Sequence, residues 1–441
     1  MLQTHFQQQW PAFSGFDDFC QHYFALLGWP AATFPAGVVD TGENDGVTYL
    51  SRDIHFPSRV RAEYFRVENV AFQKHLGGIS DTAYQQGMLV DHVITPPRWD
   101  AGHNSFTATA ALTPAQKHAI CQAHSAFLFG DSQHVASYEQ IINLVHYPCH
   151  LAIFSGRQLI VRRGHPLVTR ARYDGEPVVL FFDQLFVESG AEINCLSDTS
   201  IYVRELIQFA DEIDNVVSGA DLDTARQVRI QSIGNDGKPA KSGEAGARGQ
   251  DGVAGQPALD GNMCCAVPAV AGGQGSHGFP GKHGGNGSRG EDAFYLTLKV
   301  GYLHARIALG NYGGNGSDGA EGGSGGDGGD GGSGGARSRY CPAGTVGLGG
   351  AGGNGGNGGS GGNVGDGRNI YISCWRYAEN SRFFLLPSPQ TPGRMGKGGA
   401  AGKGGLPGGN SGQPGMAGEA GQPGRPGCVF ENMKQLKPVY D

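Results

Sequence analysis

Residues 310–334 read GNYGGNGSDGAEGGSGGDGGDGGSG, with glycine at every third position. A polyproline II helix turns once in three residues and makes no internal hydrogen bonds, so this spacing lines one face with glycine. A glycine face lets another backbone approach closely. A flexible linker has no need to hold a phase. A collagen triple helix needs long, proline-rich Gly-X-Y runs, whereas here many triplets are Gly-Gly-X, as at Gly322-Gly323-Ser324 and Gly355-Gly356-Asn357. Only Gly412–Gly427 (GQPGMAGEAGQPGRPG) looks locally collagenous. The reading adopted is a single-chain bundle of polyglycine II helices. Each N–H and C=O in such a helix must find its partner in a neighbour.

Working outward, the same period recurs at Gly243–Gly255, Gly272–Gly290, Gly344–Gly365, Gly393–Gly408 and Gly412–Gly427. A helix with two glycine faces fits between neighbours, and one with a single such face fits the rim. This places 310–335 and 344–367 at the centre and 243–255 and 412–427 at the periphery. The glycines expected to carry the central packing are Gly316, Gly319, Gly322, Gly325, Gly328 and Gly331 in one run, and Gly350, Gly353, Gly356, Gly359 and Gly362 in the other. At about 3.1 Å per residue, 310–334 would span roughly 75 Å. Ser411 breaks the phase between the last two runs and is expected to mark a reversal or a slip.

The ladder is interrupted by two β segments, at 293–309 and 369–387. In the first, Phe294, Leu296, Leu298 and Val300 alternate with Tyr295, Thr297 and Lys299; in the second, Ile370, Ile372 and Cys374 alternate with Tyr371, Ser373 and Trp375. Upstream, residues 151–233 carry short apolar strands with Gly164, Gly175 and Gly190 between them, and Leu185, Ile193 and Ile201 fall at one phase. That pattern suggests a β-solenoid-like or sandwich-like region, with the solenoid preferred. Residues 1–150 read as an α+β domain for assembly or attachment. Its helices are expected to start at Ser14, at Thr113 (with Pro114 and Gln116 completing a capping box) and at Ser137, and its strands at Val47–Leu50 and Val90–Ile94. The bundle is expected over 234–430, with a short tail at 431–441. The fold class is therefore mixed: an α+β part, a β region, and a glycine-rich bundle with interleaved strands.

Composition agrees with this division. Of the 77 glycines, 15 lie in residues 1–230 and 62 after them, so the second half cannot build a core of large side chains. The net charge of −7 is interspersed, which gives no basic stripe for nucleic acid and no polybasic tract for a membrane. The first ten residues show neither a basic n-region nor an apolar h-region, so synthesis without a Sec signal is expected. An odd count of nine scattered cysteines implies no disulfide framework, and free thiols are expected, Cys264 and Cys265 included.

Side chains that could carry chemistry are few. His118, Cys121 and His124 fan around one expected helix, and His146, Cys149 and His150 surround Pro148. In both sets a packing role outweighs metal ligation or a thiol–imidazole pair. Asp327, Asp330 and Asp366 sit in glycine-rich sequence without the phase of calcium-binding nonapeptides. No metal and no cofactor are expected. Tyr312, Tyr340, Trp375 and Tyr377 lie near ladder ends or interruptions. They are the aromatic candidates for contacting a glycan, against a simpler role in packing.

The repeat architecture of 235–428 resembles the polyglycine II bundles of phage tail-fibre adhesins and the polyproline II bundle of the springtail antifreeze protein. It does so through the glycine period and the Gly-Gly-Asn and Gly-Gly-Ser triplets. The long β interruptions depart from both. The resemblance implies that loops at the bundle's end could contact a receptor and that an N-terminal domain could attach to a carrier; it transfers no specific residue. The function expected is that of a non-enzymatic structural protein in a self-assembling filament, sheath or other particle-borne extracellular assembly. Its partners would be further copies of itself or a carrier particle. The alternative is an adhesin, or a glycan- or receptor-binding module. A polysaccharide-active solenoid enzyme ranks lower, because no carboxylates cluster on consecutive rungs.

Overall fold

The computed structural model describes residues 13–29, 34–43, 45–51, 53, 55–58, 60–79, 81, 96–100, 102, 104–105, 109–171, 176–209, 227–432 and 434–436. The expected strand Val90–Ile94 and the opening ten residues lie outside them. Helix α1 (Phe16–Leu27) forms where Phe16, Phe19, Cys20, Tyr23, Phe24 and Leu27 recur at helical spacing, and all of these are buried. Its N-cap is Gly15 rather than Ser14. The Ser14 N–H instead donates to the Asp18 carboxylate at 2.9 Å. Strands β1 (Val38–Asp40), β2 (Thr48–Ser51) and β3 (Glu63–Val67) follow. Helix α2 (Val70–Gly77), which was not expected, is capped by Asn69, whose side chain accepts the Phe72 N–H. Helix α3 (Pro114–Phe129) carries the expected Thr113–Gln116 capping box. Helix α4 (Glu139–His146) does not start from Ser137, because a 3₁₀ turn over Ser132–Tyr138, capped by Asp131, leads into it.

From there the chain winds as a coil. It places β4 (Cys149–Val161), β6 (Val178–Glu188) and β8 (Thr199–Phe209) in one sheet, and β5 (Leu167–Arg170), β7 (Glu192–Cys195) and β9 (Val228–Ile233) in a second. After a small hairpin, β10 (Leu259–Asp260) with β11 (Cys265–Val267), the coil resumes. Strands β12 (Leu296–His304) and β14 (Ile370–Tyr377) extend the first sheet, and β13 (Arg306–Tyr312) and β15 (Arg382–Leu385) extend the second. Neighbouring strands of the coil are parallel and in register: Val178 pairs with Thr199, Thr199 with Leu296, and Leu296 with Ile370. Strand β16 (Val429–Glu431) adds in parallel to β14. Strand β17 (Lys434–Gln435) closes that edge antiparallel.

The two expected β interruptions are therefore further turns of one coil, and the glycine-rich runs are what interrupts it. Between the sheets lies a core of Leu, Ile, Val and Phe, including Leu185, Ile193 and Ile201, each fully buried. The outer face of the first sheet is covered by the N-terminal helices, where Phe19, Tyr23 and Phe24 pack on Phe181 and Tyr202. Strands β1 and β3 pair with β4, and β2 with β5, so residues 13–150 share their sheets with the coil.

Six runs leave and re-enter the coil as three out-and-back pairs: 234–258 with 270–292, 313–336 with 344–369, and 391–406 with 409–427. Outgoing runs lie side by side in one layer and returning runs in another. Every third N–H of the first, fifth and sixth runs donates to a carbonyl of a neighbour, as do two of every three in the second, third and fourth. Gly322 donates to Lys397, Gly323 to Lys282, Gly356 to Gly323 and Gly355 to Gln413. The third run bonds to the first, second, fourth and fifth, and the fourth run to the second, third, fifth and sixth; the first and last runs each bond to two others. A Cβ on Gly322 would collide with the Gly356 carbonyl, and one on Gly356 with the Lys282 carbonyl. The same holds along the series: Gly316, Gly319, Gly325, Gly328 and Gly331 abut carbonyls of the fourth run, and Gly350, Gly353, Gly359 and Gly362 those of the second. The reversal between the last two runs falls at Leu406–Gly408, ahead of Ser411, which lies within the returning run; Gly408 takes φ 80° there.

Polar side chains complete the backbone's requirements. The outward-facing N–H of one run is accepted by a side chain of the parallel neighbour. Gln413 donates to Asn354, Met416 to Asn357, Gln422 to Asn363 and Arg425 to Asp366, at 2.8–3.0 Å. Asp318, Asp327 and Asp330 serve Arg394, Lys403 and Leu406 in the same way, and His277 Nδ1 and His283 Nδ1 serve Ala351 and Asn357. This is why asparagine, aspartate and serine recur beside the glycine pairs.

Candidate functional site at the distal turns

The first two turns meet at the far end, where Ala258 donates to Ala336; the third, over Leu406–Gly408, falls short of it, level with Gly331. The first turn is the β10–β11 hairpin, in which Leu259 pairs with Val267 and Asp260 with Cys265 across a bulge. The second, over 337–343, folds back on it. The Asp260 carboxylate accepts the Ser338 hydroxyl and the N–H groups of Arg339 (2.9 Å) and Tyr340 (3.0 Å). These bonds, Ser338's first, hold the Asp260 carboxyl below its ordinary value. A disulfide joins Cys265 to Cys341, across 76 residues of sequence. This corrects the expectation of free thiols throughout: Cys264 is a free, exposed thiol, and Cys265 is not free. The third turn lies against the fourth run, with Leu348 beside Gly408 and the Gly349 N–H donating to the Pro407 carbonyl.

The chemistry of this end differs from that of the shaft. Leu259, Met263, Val267 and Tyr340 stand exposed here, Met263 at 87 %; Leu348 and Leu406 are exposed lower down, level with Gly331. Along the shaft, large exposed apolar side chains are isolated ones such as Phe279, Met395 and Met416. Scattered apolar residues are ordinary, but their concentration at one end marks a surface suited to a partner.

The four aromatic candidates do not come together. Tyr340 lies in the second turn. Tyr312 is buried at the opposite end, where β13 passes into the third run. Trp375 packs edge-on against Phe16 at 5.7 Å, under α1. Tyr377 donates its hydroxyl to Glu431 at 2.6 Å, and burial pushes both this phenol and the Glu431 carboxyl above their ordinary values. The distal apolar residues went unmarked in the sequence. The available signal was Leu259, Met263 and Val267 standing between phased glycine runs.

Of the two histidine–cysteine groups, His124, His146 and Cys149 are packed, whereas His118, Cys121 and His150 are exposed. His124 is buried, stacks on His146 at 4.8 Å, and its Nε2 lies 2.9 Å from the Tyr147 hydroxyl. Burial pushes His124 down to about 3, with His146 adding to the effect, and it pushes the Cys149 thiol up to about 11, so neither is poised for acid–base or nucleophilic work near neutrality. His118 lies beside Gln122 on the exposed side of α3. Among the described residues no three His, Cys, Asp or Glu side chains are placed to hold a metal ion, and no helix is long and apolar enough to cross a membrane.

No family model matches the chain, and no curated protein matches it. Among solved structures, the nine polyproline type II helical bundle springtail antifreeze protein of Granisotoma rainieri pairs with 44 % of this chain and 94 % of its own length. The identity is 21 % and the TM-score 0.07, too low to carry an argument.

Proposed function

We propose that the six runs are polyglycine II helices, that the coil is a β-solenoid, and that the protein is a non-enzymatic structural element of a particle-borne extracellular assembly. The bundle serves as a rigid spacer, and its distal turns are the contact surface. The observation that carries this reading is the concentration of exposed Leu259, Met263, Val267 and Tyr340 at the end remote from the solenoid, with exposed Leu348 and Leu406 below them. A shaft tied by backbone bonds in two layers resists bending, so the turns are held at a set reach. The partner is a protein or glycan receptor, which makes this the adhesin form of the structural reading. The test is binding to cell surfaces or a glycan array by the intact protein and by a Leu259→Ser/Met263→Ser/Leu348→Ser variant. Retention that falls at least about tenfold in the variant supports the reading. Equal retention, or none by either protein, sinks it.

Self-assembly is the second reading. It is favoured by β2 and β15, which are the end strands of the second sheet among the described residues. Negative-stain microscopy across concentration separates the two: filaments would establish assembly, and discrete particles of one size would leave the adhesin form.

A further inference from the structure

The distal turns hold three cysteines within one small unit. Cys265 is bonded to Cys341. Its chain neighbour Cys264 is a free, exposed thiol whose carbonyl accepts the Gly261 N–H at 2.9 Å. A Cβ on Gly261 would lie 3.2 Å from the Ala266 Cβ and 3.5 Å from the Cys264 Sγ, so Cys264 sits on the Ala266 side of the hairpin, the side opposite that of Cys265. The hairpin carries the slack to reverse this. Its bulge gives β11 one residue more than β10 between the Leu259–Val267 and Asp260–Cys265 pairs. Sliding β11 by one residue sets Cys264 opposite Asp260 and turns the faces of 264–267 over, since a single-residue slip exchanges every side chain of a strand between faces.

We infer that the tip is a thiol–disulfide exchange site in which Cys264 and Cys265 compete for Cys341. The Cys264 thiolate attacks Sγ of Cys341. The Cys264–Cys341 bond forms as the Cys265–Cys341 bond breaks, and the electron pair leaves on Cys265, which takes a proton from water. One disulfide and one thiol are present before and after, so no oxidant or reductant is consumed. The two states present different sides of the β10–β11 hairpin, with Val267 reversed between them, and they expose different thiols. The tip is thereby a two-position surface, whatever it binds.

Linkage mapping of the intact protein tests this without a variant. The protein is equilibrated with a trace of 2-mercaptoethanol, quenched in acid, alkylated, digested and fragmented between Cys264 and Cys265. Both linkages are expected, within about tenfold of each other, because each is an ordinary cystine formed at the cost of the other. Finding Cys265–Cys341 alone overturns the inference. A Cys265→Ser variant gives a second reading. It retains eight cysteines, of which six are expected to alkylate after denaturation, because Cys264 takes over the bond to Cys341. Alkylation of all eight overturns the inference as well.

Discussion

The two-sheet coil and the bundle of glycine-rich runs are built by opposite means from one continuous chain. In the coil, backbone hydrogen bonds set the strand spacing and large side chains fill the space between sheets; Leu298 lies fully buried between Ile201 and Ile372 on the neighbouring strands. In the bundle there is no side-chain core. The interior is backbone against backbone, and what a position requires is the absence of a Cβ. A substitution that a hydrophobic core absorbs by shifting rotamers has nowhere to go where the opposing surface is a carbonyl. One region is thus sensitive to lost volume and the other to added volume.

That contrast is broken or sharpened first by a matched pair of substitutions. Gly356→Ala adds one methyl against the Lys282 carbonyl and is expected to cost at least about 3 kcal/mol, since the obstacle is backbone hydrogen-bonded on both sides. Leu298→Ala removes volume from the core between the sheets and should cost about 2–5 kcal/mol. As a control, Gly285→Ala, whose added methyl would come no nearer than 3.1 Å to the Lys241 carbonyl oxygen, should be far milder than Gly356→Ala. Thermal and denaturant unfolding measure all three, and equal losses at Gly285 and Gly356 would break the comparison.

A smaller effect belongs to the coil alone. Lys299 on β12 is buried, with its ammonium 4.5 Å from the Phe19 ring centre and 5.1 Å from that of Tyr202. Burial pushes its amine down from 10.5 to about 7. The unfolded chain keeps this proton up to the ordinary value, so between the two values the unfolded state binds more protons and the Lys299 contribution to stability rises with pH. Below about 7 both states are charged and the contribution is flat. Wild type should therefore gain on Lys299→Met by a few kcal/mol between pH 7 and pH 10, read as the difference between their denaturation free energies. A constant difference would show that the amine is not desolvated.

The smallest effect tests the polar ladder of the bundle. Asn357→Ala removes the acceptor of the Met416 N–H at the bundle surface, where water substitutes in part, and should cost about 1 kcal/mol. Asn357→Asp, which keeps an acceptor oxygen, should recover most of it.

These outcomes bear on how much the sequence reveals. A period of three is a local property, so the runs, and which of them have glycine on more than one face, can be read directly. The third and fourth runs, whose glycines recur on two faces, are the ones with four bonded neighbours. Which elements interrupt which cannot be read that way. Thr199 and Leu296 are neighbours only because two glycine runs fold away and return, and no local pattern encodes that register. The Cys265–Cys341 bond has the same character, since it depends on two turns being carried to the same height by separate runs. At α2, the Asn69 cap was available as a signal, but its short amphipathic stretch was not distinctive. The aromatic candidates fell apart because exposure is not a property of residue type: Trp375 and Tyr312 are large flat side chains that the fold uses as packing.

The bonds between the two layers of runs have a direction. In each antiparallel contact the later run donates to the earlier one: Gly273 to Val253, Gly314 to Glu291, Gly347 to Gly332, Gly396 to Gly359 and Gly415 to Gly399. A chain emerging from the ribosome N-terminus first thus meets, at every reversal, a row of carbonyls already laid down by its own preceding segment. The parallel contacts within each layer have the opposite sense, Gly243 donating to Glu321, Gly322 to Lys397 and Gly355 to Gln413, so each run takes its acceptors across the layers from the run before it and within its layer from a run made later.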